Sequence, residues 1–268
     1  MLKDITIGQY FPGNSPVHKL DPRVKILLTF LFIVVIFLIK KYAGYAMILA
    51  YLALVIALSK IPVKFVLKGL KPLLFIIILT FAINLFFTPG GSVLVQFWGL
   101  TITSGGLQQG IFMALRLILL VTGTSLLTLT TSPIALTDGI ELLLSPLKVI
   151  RFPAHELAMM MTIALRFIPT LLEETDKIMK AQMARGADFE SGNLLQRAKS
   201  LVPLLVPLFI SAFRRADELA VAMESRCYRG GENRTRMKVL KIEHRDFGAL
   251  LITFSLIAGI IWNSYFMG

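Results

Sequence analysis

Charge is what this sequence has little of. Charged side chains make up 16% of its 268 residues while 56% are hydrophobic, and the mean hydropathy is +0.74; soluble domains carry about a quarter charged residues. That shortage excludes an ordinary soluble domain and predicts an integral membrane protein. Cysteine is nearly absent as well. Cys227 stands alone, so it cannot close an internal disulfide, and without a CxxC pair or a His-rich cluster it gives no basis for structural zinc. No G-x-x-x-x-G-K-[ST] occurs, which removes the P-loop needed to bind and hydrolyse ATP within this chain. The three histidines, His18, His155 and His244, lie outside the predicted spans and form neither an HExxH pair nor a nucleophile–base arrangement. No catalytic or metal-ligating set can therefore be assigned. No Asp or Glu falls mid-span to relay protons or hold a coupling cation, which disfavours a secondary transporter. The first 22 residues are polar and Pro-rich rather than an apolar core behind a basic start, so no cleavable signal peptide is predicted.

Long apolar runs are what is present. They cover about 24–39, 42–58, 71–87, 110–131 and 247–265, each near the ~20 residues that a bilayer core requires. The connections orient them, because cytoplasmic loops keep an excess of Lys and Arg. Lys19, Arg23 and Lys25 place the N-terminal side inside; Lys60, Lys64, Lys68 and Lys71 do the same for 61–72; and the uncharged stretch 88–110 belongs outside. Lys40 and Lys41 fall on the wrong side of this scheme, where their stems can snorkel from a tight turn. The net charge of +12 is thus read as anchoring beside anionic lipid, not as a nucleic-acid surface.

From 132 to 245 the character changes. This stretch holds 17 of the 28 basic residues and most of the acidic ones, and reads as a cytoplasmic region before the last span. Two apolar helical runs, 153–172 and 194–213, sit within it and must pack against membrane helices or another protein. Each continues into a charged, helix-patterned end. Glu173/Lys177, Asp176/Lys180 and Arg214/Glu218 have the i,i+4 spacing of ion pairs, and Pro169 and Pro207 are expected to start or kink their helices.

Those two ends repeat. TDKIMKAQMARG (175–186) aligns with ADELAVAMESRC (216–227) at an offset of 41 residues, matching Asp176 to Asp217, Ala181 to Ala222 and Arg185 to Arg226. In each copy a small residue, Ala184 or Ser225, precedes the arginine, so a partner's backbone could come close while the guanidinium fork reaches a carboxylate. The competing reading is a helix cap, with Arg offsetting the dipole and Gly186 taking the left-handed position. A cap alone does not account for two such endings, and Cys227 stands where the second glycine would help most. Arg116, the only clear ionisable side chain among the membrane-embedded positions, is read as an interior charge paired with Asn84 or with the Thr-rich run 122–131, or else as a substrate contact.

Together these residues resemble a known family over nearly the whole length. SPVHKLDPRVK (15–25), RFIP (166–169), ARG (184–186) and SRC (225–227) are similar to the signatures of the transmembrane T component of energy-coupling factor (ECF) transporters, vitamin-uptake relatives of ABC importers. The second copy departs from the paired Ala-Arg-Gly pattern at Ser225 and Cys227, which puts its cap geometry in question while keeping the arginine. The resemblance implies that Ala184, Arg185, Gly186 and Ser225, Arg226, Cys227 dock two ABC-type ATPase subunits. It implies too that a membrane-embedded, substrate-binding S component is held on apolar surfaces. Suitable contacts are Met160, Met161, Leu205 and Phe209, with Phe65 and Leu70 of segment 61–72, a segment equally readable as a lipid-surface amphipathic linker.

The expected protein is all-α: a polytopic integral membrane protein with about five transmembrane helices and a helical cytoplasmic coupling region carrying two Arg-bearing helix ends. Residues 1–131 form the N-terminal membrane region with about four spans, 132–245 the coupling region and 246–268 the last span. It is a multi-pass protein of a prokaryotic cell membrane. As the resemblance has it, the chain is a non-catalytic subunit that binds no cofactor directly, with ATP and Mg used by its ATPase partners. A self-contained polytopic carrier or membrane enzyme is the alternative. The transported vitamin or metal is not legible, because specificity would reside in the S component.

Overall fold

The computed structural model describes residues 10–39, 41–97, 100–189, 193–231 and 240–266. Lys40 therefore lies outside the described residues, as does Glu190. The chain is helical almost throughout: α1 (Pro22–Leu38), α2 (Tyr42–Ser59), α3 (Val63–Leu70), α4 (Leu74–Phe87), α5 (Ser104–Thr130), α6 (Pro133–Leu144), α7 (Ala154–Ala184), α8 (Leu194–Glu224) and α9 (His244–Phe266). The uncharged 88–110 stretch holds a short antiparallel hairpin, β1 (Val93–Phe97) with β2 (Leu100–Thr103). Its last residues are already helical, because Thr103 caps α5 by accepting the Gly106 amide through Oγ1 at 3.0 Å. The helix thus starts six residues before the expected 110.

Among the described residues five helices are long and apolar enough to cross a membrane, as composition predicts, but their membership differs from the expected five. Residues 63–87 run as one 25-residue helical span through a single 3-10 turn at Lys71–Leu73, joining the amphipathic segment to the next apolar run. Ala154–Ala184 qualifies too, although it was expected in the cytoplasmic region. The 24–39 run instead forms a helix of 17 residues, about 26 Å long.

The described chain divides into two compact units, one spanning Glu141–Lys238 and the other Gly8–Ile140 together with Val239–Gly268. In the second unit α5 packs against α1, α2, α3 and α4, and α9 against α1 and α2. Ile36 and Ile48 at its centre are fully buried, surrounded by Phe32, Leu52, Leu119 and Ile260. Lipid tails are as apolar as these side chains, so close fit rather than expulsion of water holds membrane helices together. Gly123 illustrates this: a Cβ there would overlap the ring of buried Phe32 on α1. Gly123→Ala is expected to cost about 1–3 kcal/mol by overpacking, read as a lower thermal midpoint in detergent. An unchanged midpoint would refute the contact.

Polar groups lock the start of α1 to both neighbours. Asp21 caps α1 by accepting the Arg23 amide at 2.9 Å and holds the Arg23 guanidinium by two bonds, at 3.0 and 2.8 Å. Its own amide donates to Asp246 Oδ1 of α9 at 2.8 Å, and Asp246 Oδ2 accepts the Glu243 amide at 2.7 Å. Lys25, also buried, donates from Nζ to the carbonyls of His18 and Thr130, both at 3.0 Å, and to Thr131 Oγ1 at 3.3 Å. Burial pushes the Asp21 carboxyl up, but the hydrogen bonds and charge of Arg23, with Lys25 nearby, outweigh it and hold the group below the usual carboxylate range. His18 Nε2 must donate to the Phe11 carbonyl (2.9 Å), so Nδ1 accepts from Ser15 Oγ (2.7 Å). Burial, opposed by the bond to Phe11 and aided by the Lys25 charge, lowers the His18 pKa and agrees with that neutral ring. The SPVHKLDPRVK segment is thus tied together by hydrogen bonds of Ser15, His18, Asp21, Arg23 and Lys25, with Asp21 and Pro22 as the N-cap and first residue of α1.

Arg116 does not find its expected partners. Its guanidinium lies 5.4 Å from the centroid of the Phe37 ring and Nη1 approaches Met113 Sδ at 3.9 Å, whereas Asn84 bonds within its own helix to Thr80 and Thr88. The Thr122, Thr124 and Thr130 hydroxyls likewise return to carbonyls one turn back. They are satisfied without a charge, so the pairing that composition suggested does not form.

Candidate coupling site

Both repeat copies lie in the Glu141–Lys238 unit, at the ends of α7 and α8. Each helix has 31 residues, about 46 Å of axis. Pro169, Pro203 and Pro207 are all internal to continuous helices, so Pro169 and Pro207 do not start them. Each proline removes one amide donor, and the long run of other intrahelical bonds carries the helix across the gap.

The two ends close in the same way. After α7 the Gly186 amide donates to the Met183 carbonyl and the Ala187 amide to that of Gln182, both at 3.0 Å, with Gly186 at φ +88°. After α8 the Cys227 amide donates to Glu224 at 2.8 Å and the Tyr228 amide to Met223 at 3.0 Å, with Cys227 at φ +55°. Both are Schellman caps, in which a left-handed residue lets two amides satisfy the last carbonyls. The geometry in question at Cys227 is therefore kept without glycine, at a cost of about 1–2 kcal/mol for a left-handed L-residue. Relief of that strain, less glycine's greater chain entropy when unfolded, predicts that Cys227→Gly raises the unfolding free energy by up to about 1 kcal/mol. A thermal midpoint that falls instead would show that the cap does not form.

The cap reading and the docking reading are compatible. Arg185 and Arg226 occupy the equivalent residue, one before the left-handed position. Ala184, Arg185, Gly186, Ser225, Arg226 and Cys227 are all exposed. Neither guanidinium makes a hydrogen bond or ion pair among the described residues. Capping is done by the backbone, which leaves both forks free.

The helices are joined by a contact that the sequence reading missed. Glu174 of α7 accepts from Ser211 Oγ (2.5 Å) and from Arg215 Nη2 (2.9 Å) of α8. Of the i,i+4 pairs expected nearby, Asp176–Lys180 forms at 3.3 Å, while Glu173–Lys177 and Arg214–Glu218 do not reach ion-pair distance. The same 41-residue offset could have found the bridge, since it carries Glu174 onto Arg215. Equivalent positions of the two copies therefore meet, and each terminal arginine lies 11 residues beyond, about 16 Å along its own helix.

Apolar side chains stand out from the same two helices. Met160 and Met161 of α7 are 54 and 45% exposed, and Leu205 and Phe209 of α8 are 48 and 61% exposed, the latter two within a run that includes Val206, Ile210 and Phe213. Exposed apolar area on this scale calls for a partner or lipid. In the other unit, Phe65 is 44% exposed and lies against Phe11 at a ring separation of 5.2 Å, and Leu70 is half-buried.

Residues 13–237 match the model of the CbiQ family, described as cobalt transport proteins. The chain is 63% identical over 264 residues to the energy-coupling factor transporter transmembrane protein EcfT of Thermosediminibacter oceani, covering 98% of this chain and 99% of the relative. The EcfT proteins of Clostridium kluyveri (58% over 269 residues; 98% and 100% covered) and Bacillus subtilis (49% over 262; 98% of each) are similar throughout as well. The chain belongs to the EcfT family of energy-coupling factor transporter transmembrane proteins. It is accordingly a multi-pass protein of a prokaryotic cell membrane, and a transporter component with other subunits. The resemblance read from ARG and SRC thus holds at the level of the whole chain.

Proposed function

We propose that this family member is the non-catalytic coupling subunit of an ECF importer, in which Arg185 and Arg226 each engage one of two ABC-type ATPase subunits. The observation that carries this reading is the matched pair of helix ends: two free guanidinium forks on identical caps, equally far from the Glu174–Arg215 bridge. Two equivalent grips suit a motor of two similar subunits. ATP and Mg are bound and consumed by those subunits. When they close, the bridged helices carry the motion to an S component resting on Met160, Met161, Leu205 and Phe209, with Phe65 and Leu70 supplying a further contact. The S component then reorients to deliver a vitamin or other micronutrient, and it alone selects the substrate. In this reading residues 132–245 form the coupling region at the cytoplasmic face, with 1–131 and 246–268 holding it in the membrane.

Affinity capture of the tagged chain in a gentle detergent tests the assignment. The expected result is co-purification of ATPase subunits and a small, very hydrophobic protein, with no ATPase or transport activity from the chain alone. Transport or enzymatic turnover by the isolated chain in liposomes would overturn it in favour of a self-contained carrier or membrane enzyme.

A further inference from the structure

We infer that the outer face of α3 is a binding site for the headgroup of an anionic phospholipid of the inner leaflet. Lys64, Lys68 and Lys71 are spaced i, i+4 and i+7, which stacks them on one side of the helix over about 10 Å. All three are exposed, and none makes a hydrogen bond or ion pair among the described residues. The chain has no anion of its own to offer nearby in sequence: from Pro22 to Thr137 there is no Asp or Glu. Of the four side-chain carboxylates in the same unit, Asp21, Asp246 and Glu243 are engaged by Arg23, by two backbone amides and by Arg245, and the fourth, Asp138, belongs to α6.

The opposite face of α3 holds the lysines in place. Val66 is 2% exposed, and a Cβ on Gly69 would meet Ser125 Oγ of α5 at 3.0 Å. The helix is thus seated on α5, and its lysine side is the one left open. One to two turns further along lie Leu74, Phe75 and Ile78 of α4, 51, 74 and 57% exposed. A phosphodiester on the lysines would have its acyl chains on this strip, an amphipathic match that free phosphate cannot exploit. Phosphate charge also suits lysine here: three mobile point charges can converge on one group without the fixed fork of arginine.

The test uses the purified full-length chain in nanodiscs or detergent, with phosphatidylglycerol and phosphatidylcholine as probes and native mass spectrometry as the readout. Wild type is expected to retain phosphatidylglycerol over phosphatidylcholine, less so as salt rises. The variant Lys64→Gln/Lys68→Gln/Lys71→Gln is expected to weaken that binding on the order of a hundredfold, at the usual contribution of a lysine near an anionic surface. A variant with arginine at all three positions should keep it. The equal charge change Lys177→Gln/Lys180→Gln/Lys199→Gln, at exposed positions elsewhere, should leave it nearly intact. Equal loss in both glutamine variants would mean diffuse attraction to a basic protein and overturn the site. Unchanged retention in the α3 variant, or full displacement by inorganic phosphate, would overturn it as well.

Discussion

Arg185→Ala combined with Arg226→Ala is expected to release the ATPase subunits and abolish uptake while leaving the chain folded. Both side chains are exposed and unpaired among the described residues, so their removal should change stability by no more than about 0.5 kcal/mol. Docked against a partner carboxylate, each becomes one half of an interfacial charge pair whose truncation costs roughly 2–5 kcal/mol. That corresponds to about thirtyfold to several thousandfold in affinity per site. Single variants should retain one grip and lose uptake in part. Arg→Lys at both positions should restore charge without the planar, two-bond fork, so recovery should be incomplete. The measurements are co-purification with the ATPases, substrate uptake and thermal unfolding of the isolated chain. A double variant that still carries two ATPases and transports normally would show that the docking assignment is wrong.

Asp246→Ala is expected to have the largest effect on folding. Its side chain accepts the amides of Asp21 and Glu243 at 2.8 and 2.7 Å while the residue is 1% exposed, and with Asp21 it is one of two buried anions near Arg23 and Lys25. Truncation leaves two amides without acceptors, at about 1–3 kcal/mol each, and removes charge compensation from a buried lysine. The expected outcome is a loss of roughly 3–5 kcal/mol, read as a large fall in thermal midpoint and in the yield of monodisperse protein. Asp246→Asn keeps one carbonyl acceptor and should fall between. Wild-type stability in the alanine variant would mean that the α1–α9 lock is not structural.

These two predictions rest on different kinds of information. Arg185 and Arg226 were legible in the sequence because the repeat is local: 12 aligned residues spanning the last turns and caps of two helices. Helical class and the number of membrane-competent helices were legible for the same reason, since apolar length and period act along one segment. Asp246 and Lys25 were not singled out as partners, being 221 residues apart and joined by α1 meeting α9 and the end of α5. Arg116 shows the converse, in that composition proposed polar partners and the fold supplied the Phe37 ring.

By itself, then, the sequence determined a helical membrane protein with two arginine-tipped helix ends. Each of those properties follows from side-chain pattern over a few turns. Only the tertiary structure decided that Cys227 forms the same cap as Gly186, that Glu174 reaches across to Ser211 and Arg215, and that the helix starting at Val63 runs on through α4. These depend on which surfaces meet, and a one-dimensional pattern ranks apolar faces without choosing between them.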